Sequence, residues 1–271
     1  MSVFTASAKV STNTLKRLKG AGQKISMLTV YDYSMAKIFD KAGVEVLLVG
    51  DSAANVMAGH ETTLPITLEQ MIYHTQCVAR GVSNALIVTD LPFGSYQGDS
   101  HMALYSAIRL MKEAGTHALK IEGGQEILES VSKIIGAGIP VMGHLGLTPQ
   151  SIHQFGGYGL RAKEDQEAKR LLADALALQK AGCFALVLEK IPALLGKQVA
   201  QSLEIPVIGI GAGRYVDGQV LVMHDMLGIT QDFAPKFLRR YLDLHEQVHQ
   251  AAARYVADVK SGSFPSEFEQ Y

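Results

Sequence analysis

VEVLLVGD, residues 44–51, is a short β-branched run that stops at an acid, and the same pattern recurs along the chain. ALIVTD (85–90) ends in Asp90, ALKIE (118–122) carries Lys120 and Glu122, IPVMGH (139–144) ends in His144, and FALVLE (184–189) ends in Glu189. A buried strand does not tolerate an unpaired charge, so ionisable groups at one end of successive strands point to a single shared polar site. In a (β/α)8 barrel the C-terminal strand ends converge in this way.

Working outward from these runs, strands are expected at 26–30, 45–49, 85–89, 118–122, 139–143, 184–188, 206–210 and 219–223. Helical spacing of apolar residues predicts helices over 33–42, 67–80, 100–114, 124–137, 165–181 and 192–202. Ser11 or Thr12 is expected to cap a short basic helix, and a helical tail to begin near 234. Ala-Gly pairs at 42–43, 114–115, 137–138 and 181–182 read as helix C-termini before the next strand. Strand–helix alternation argues a parallel sheet, and eight units in 271 residues favour closure into a barrel of the α/β class. The reading is one domain over 1–271. The glycine-rich stretch 145–163 is long for such a fold and reads as a lid or binding loop.

Composition fits. Apolar residues make up 48%, charged residues 19% and the net charge is −1, so nothing favours disorder, nucleic acid or an anionic membrane. No apolar stretch reaches the length of a membrane span. Cys77 and Cys183 lack CxxC spacing and read as buried thiols in a reducing compartment, so the chain is expected to be cytoplasmic.

Asp51, Asp90 and Glu122 are three carboxylates at equivalent strand ends. Each alone could cap a helix or pair with a lysine; together they suit a hard divalent cation such as Mg2+. Lys120 and Glu122, two apart, share a face. Lys120 could neutralise a substrate carboxylate, pair with Glu122, or act as a Schiff-base nucleophile. Glu189 ends an otherwise apolar strand and suits a general base; an ion pair with Lys190 is disfavoured because strand neighbours point oppositely. His144 is a supporting candidate. Gly209, Gly211 and Gly213 could hold a phosphate or let a ligand lie on bare backbone.

The blocks LTVYDYSMAKIFDKAG, LLVGDS, TTLPIT, YHT, DLPFGSYQ, KIEGG, GHLGLTPQS, FGGY, LVLE, PVIGIGAG and DGQVLVMHDMLGI, in this order, resemble the ketopantoate hydroxymethyltransferase family. The resemblance implies a (β/α)8 TIM barrel of the phosphoenolpyruvate/pyruvate type. It implies transfer of a hydroxymethyl group from 5,10-methylenetetrahydrofolate to 2-oxoisovalerate in pantothenate synthesis, with Mg2+. Asp51, Asp90 and Glu122 would lie on the metal side. Asp51, Ser52, Asp90 and Lys120 would face the substrate, and Glu189 would accept the proton. The resemblance further implies a homo-oligomer, a decamer. At Ala53-Ala54-Asn55-Val56 the chain departs from the family's usual Leu-Gly-Met-like stretch, which bears on the local loop. Two alternatives are another Mg-dependent 2-oxo-acid lyase of the same barrel type and a non-catalytic barrel paralogue.

Overall fold

The computed structural model describes residues 9–271, so the first eight residues of the one-domain reading lie outside it. Helix α1 (Thr12–Gly20) is opened by Ser11, whose side chain accepts from the Thr14 amide in a capping box. Strand β1 (Ile25–Thr29), helix α2 (Tyr33–Lys41), strand β2 (Val46–Val49) and the short helix α3 (Ala53–Val56) follow. Then come α4 (Leu68–Gly81), β3 (Leu86–Asp90), α5 (Ser100–Arg109), β4 (Ala118–Glu122) and α6 (Leu128–Gly136). After them lie β5 (Val141–Gly146), the one-turn α7 (Ile152–Phe155), α8 (Asp165–Ala181), β6 (Ala185–Glu189), α9 (Ala193–Ser202), β7 (Val207–Ile210) and β8 (Gly218–Leu221).

All eight strands pair in parallel and in sequence order, β8 returning to β1, so the sheet closes into a barrel. The expected strands and most helices are present. Helix 100–114 is α-helical only to Arg109 and continues as a π turn over Leu110–Ala114. The expected helix 124–137 opens with a 3₁₀ turn, Gln125–Ile127. Glycines 43, 115, 138 and 182 of the Ala-Gly pairs all have φ between 77 and 103°, the left-handed conformation that a helix C-terminus needs.

The barrel interior is filled by alternate residues: Ile25 and Met27, Val46 and Leu48, Leu86 and Val88, Ala118, Met142, Ala185 and Val187, Ile208, and Val220. Leu15 of α1 joins this core. Lys19 of α1 donates to the carbonyls of Ala200 and Ile205 and to Asp217 Oδ2, which ties the helix to the chain around β7 and β8. The period of two places the next inward positions at Asp90, Lys120, Glu122, His144 and Glu189. The apolar layer therefore gives way to a charged layer at the C-terminal end.

The chain divides into two compact units, one ending at Val222 and one starting at Met223. The second unit holds α10 (Met223–Met226) and α11 (Leu244–Ser261). The tail helix thus begins at 244, capped by Asp243, not near 234. Residues 232–235 read Asp-Phe-Ala-Pro, and the residue before a proline is biased away from helix.

Among the described residues, no helix is long and apolar enough to cross a membrane. Cys183 is buried, and burial pushes its thiol up to about 12, whereas Cys77 is only half-buried.

Candidate active site

Register builds the charged layer. Asp90 lies directly opposite Lys120, and Glu122 opposite His144. Lys120 Nζ is 3.0 Å from Asp90 Oδ1 and 3.9 Å from Glu122 Oε1. His144 Nδ1 lies 3.2 Å from Glu122 Oε1 and 3.2 Å from Lys120 Nζ. Its Nε2 faces Glu189 Oε2 at 3.5 Å. Asp51 does not continue the inward parity of β2. It arrives by the turn after Gly50, where its amide donates to Asp90 Oδ2 at 3.0 Å. A Cβ at Gly50 would meet Ser52 Oγ at 2.8 Å, so glycine leaves that hydroxyl its place.

The structure thus brings together Asp51, Asp90, Lys120, Glu122, His144 and Glu189. Ser52 sits beside them at the start of α3, its hydroxyl within 2.8 Å of the Tyr31 hydroxyl. Ala53 and Ala54 are fully buried in α3, and no residue of that helix has a positive φ, so alanine is accommodated there without backbone strain.

Asp51, Asp90, Lys120, Glu122 and His144 are each about 5% exposed or less. Burial, then the Glu122 charge, pushes Asp51 up to about 6, against the pull of Lys120. Burial pushes Asp90 up to about 6 and Glu122 up to about 7, with Lys120 opposing in both. Burial alone would lower Lys120, but Asp90, Glu122 and Asp51 overcome it and hold the ammonium above its usual value. A lysine held protonated is not a Schiff-base nucleophile. Burial and the Lys120 charge hold His144 below its ordinary value, against the pull of Glu189 and Asp90, which favours the neutral imidazole.

Glu189 is set apart. Its side chain is 17% exposed, so it stands at the rim and is not sealed as its apolar run suggests. Its ionisable neighbour in space is His144, not Lys190. Lys190, with φ 45°, turns away to donate its ammonium to the Tyr158 carbonyl. Tyr158 in turn reaches the Glu61 carbonyl, so the 145–163 loop, with a 3₁₀ turn at Pro149–Ser151 and α7, is anchored to the loops after β2 and β6. Gly213 is explained by packing, since a Cβ there would lie 2.4 Å from that of Ala193.

Two residues that the charge pattern does not reveal complete the site. Gln150, 6% exposed, donates from Nε2 to Asp51 Oδ2 at 2.9 Å and from its amide to Glu122 Oε2 at 3.0 Å. The buried Tyr96 hydroxyl donates to Gln150 Oε1 at 2.7 Å. Both lie in the blocks DLPFGSYQ and GHLGLTPQS, but neutral side chains in loops carry no periodic signal.

Asp90 Oδ1, Glu122 Oε1 and His144 Nε2 are buried without a well-formed hydrogen bond, and three acids face one ammonium. Excess buried negative charge with free acceptor oxygens suits a hard cation. Among the described residues, no three His, Cys, Asp or Glu side chains form a ready-made metal cage. Mg2+ fits such a site because it takes hard carboxylate oxygens, directly or through water, and completes its shell with water and substrate oxygens. A neighbouring cavity of about 320 Å3, lined by Gly124, Gly146, Thr148, Arg161 and Asp174 among others, does not include these carboxylates.

A closed barrel with its charged layer at the C-terminal mouth defines an enzyme-type (β/α)8 barrel, and solved structures share the fold. Phosphoenolpyruvate phosphomutase from Streptomyces platensis aligns with TM-score 0.62 at 14% identity, over 93% of this chain and 88% of that one. Phosphonopyruvate hydrolase in complex with oxalate and Mg++ aligns with TM-score 0.60 at 12% identity, over 95% and 92%. The chain belongs to the ketopantoate hydroxymethyltransferase family, whose model matches residues 9–267. The 3-methyl-2-oxobutanoate hydroxymethyltransferase of Flavobacterium johnsoniae is 65% identical over 263 residues, 97% of either chain. Those of Porphyromonas gingivalis and Salinibacter ruber are 63% and 60% identical, over 97% of this chain and 96% and 99% of theirs.

Proposed function

We propose that this protein transfers a hydroxymethyl group from 5,10-methylenetetrahydrofolate to 2-oxoisovalerate (3-methyl-2-oxobutanoate), giving ketopantoate for pantothenate synthesis. The observation that carries the reading is the buried Asp51–Asp90–Lys120–Glu122 cluster with Glu189 at its rim, in a chain at least 60% identical to relatives of that name.

Asp51, Asp90 and Glu122 would hold Mg2+, which, when bound, polarises a 2-oxo acid and favours loss of its β-proton. Lys120 is the fixed positive charge of the site and offsets the substrate carboxylate. Ser52, at the start of α3, offers a hydroxyl to the same substrate. Glu189, at the rim, takes the proton from the β-carbon, and neutral His144 backs it from within the barrel. Water breaks both C–N bonds of the methylene group, so that tetrahydrofolate leaves and the one-carbon unit is freed as formaldehyde; the carbanion adds to that carbon, and the resulting alkoxide takes up the proton to become the hydroxymethyl group. The reading places the enzyme in the cytoplasm as a homo-oligomer.

The test is product formation from 2-oxoisovalerate with the folate and Mg2+ each present or withheld. Ketopantoate formed only with both supports the reading. Cleavage of a 2-oxo acid without folate would favour the lyase alternative, and full activity in EDTA would exclude the metal.

A further inference from the structure

We infer that Gln150 is the positioning residue of this site: it orients the Asp51 and Glu122 carboxylates toward a common ion. The inference rests on the metal reading above.

Each acid has one oxygen held by a neutral N–H. Asp90 Oδ2 takes the Asp51 amide, Glu122 Oε2 takes the Gln150 amide, and Asp51 Oδ2 takes the Gln150 side chain. Two of these three donors belong to Gln150. A neutral donor fixes a carboxylate without cancelling its charge, so the other oxygen stays available to a cation; a second lysine in that place would not leave it so.

The local structure makes Gln150 suited to this. Pro149 opens the 3₁₀ turn Pro149–Ser151, and the first amides of a helical turn have no internal partner, which frees the Gln150 N–H for Glu122. The side-chain amide can face only one way. Its Oε1 accepts from the Tyr96 hydroxyl and from Gln97 Nε2, so its Nε2 is left to donate to Asp51 and to the Leu91 carbonyl at 3.0 Å. Tyr96 is itself held by the Glu122 backbone amide at 3.2 Å. All four hydrogen-bonding positions of the Gln150 amide are filled in a buried setting, where a half-satisfied network is costly.

The experiment titrates Mn2+ into substrate-free wild type and Gln150→Met by calorimetry, with melting temperature as control. Exchange of the β-hydrogen of 2-oxoisovalerate is then followed at limiting and saturating Mn2+. The variant is expected to stay folded, bind Mn2+ about 10–100-fold more weakly, and recover most of its exchange rate at saturating metal. Unchanged Mn2+ affinity in Gln150→Met overturns the inference alone; wild type that binds no Mn2+ overturns the metal reading with it. Exchange that saturating metal does not restore also overturns it, since the residue would then act on the chemistry. Should Gln150→Met not fold, Tyr96→Phe decides: weaker Mn2+ binding with the fold kept supports the role, and unchanged binding overturns it.

Discussion

His144 stands between Glu189 and the acidic cluster, its Nε2 3.5 Å from Glu189 Oε2 and its Nδ1 3.2 Å from Glu122 Oε1. One neutral ring therefore spans from β5 to the rim carboxylate of β6 and back to β4. This relationship separates two tasks, holding charge inside the barrel and moving a proton at its edge.

If Glu189 is the base, Glu189→Gln should keep binding 2-oxoisovalerate and Mg2+ while β-hydrogen exchange into heavy water, without folate, slows by roughly 10²–10⁴-fold. Near-normal exchange would move the base role to His144 or to a metal-bound hydroxide.

Lys120 is the one cation among three buried acids. Lys120→Met should destabilise the metal-free protein by about 3–5 kcal/mol, the usual result of unpairing buried charge. Denaturant titration reads this directly, and a stability equal to wild type would show that the acids are neutral in the free protein.

The acids also set a pH dependence. Asp51 and Asp90 near 6 and Glu122 near 7 all lie above the unfolded values of about 4. Between those limits the folded state binds more protons than the unfolded one, so their contribution to stability falls as pH rises from about 4 to 7. Lys120, raised, contributes stability that is constant across this window, because it is lost only above its unfolded value. In EDTA the melting temperature should decline over that range, and Glu122→Gln should flatten the slope. An equal slope in the variant would remove Glu122 from the account.

Gly146 pairs with Glu189 in register and has φ 93°; a Cβ there would lie 2.3 Å from the Glu189 carbonyl oxygen. Gly146→Ala should cost about 1–3 kcal/mol from overpacking alone and lower turnover by displacing Glu189. A variant with wild-type melting and turnover would show that the strand ends shift freely.

Helix α11 buries none of its residues within the chain, and Val248, Tyr255, Val256 and Val259 are exposed on it. Sedimentation should find an oligomer, with a decamer as the size the family resemblance implies; a stable monomer at micromolar concentration would contradict it.

What the amino-acid sequence determined by itself is the repeating unit and the chemistry at its end. Period-two patterning and Ala-Gly helix ends are local properties of the backbone, and they revealed eight strands, most helices and the inward acids without any knowledge of distant contacts. The tertiary structure alone decided who meets whom. Closure and register set Asp90 against Lys120 and Glu122 against His144. Asp51, off the strand's parity, joins them through a turn. Gln150, from a loop with no periodic signature, reaches acids on two other strand ends. The rim position of Glu189 was likewise invisible, because it depends on how much neighbouring chain covers the residue, whereas the late start of the tail helix at Leu244 was legible in Pro235. Burial of a side chain is a property of the packed barrel, and so are the weakened acidities of Asp51, Asp90 and Glu122 and the lowered His144 that follow from it, whereas Lys120 is held protonated against burial by the three acids that register sets around it.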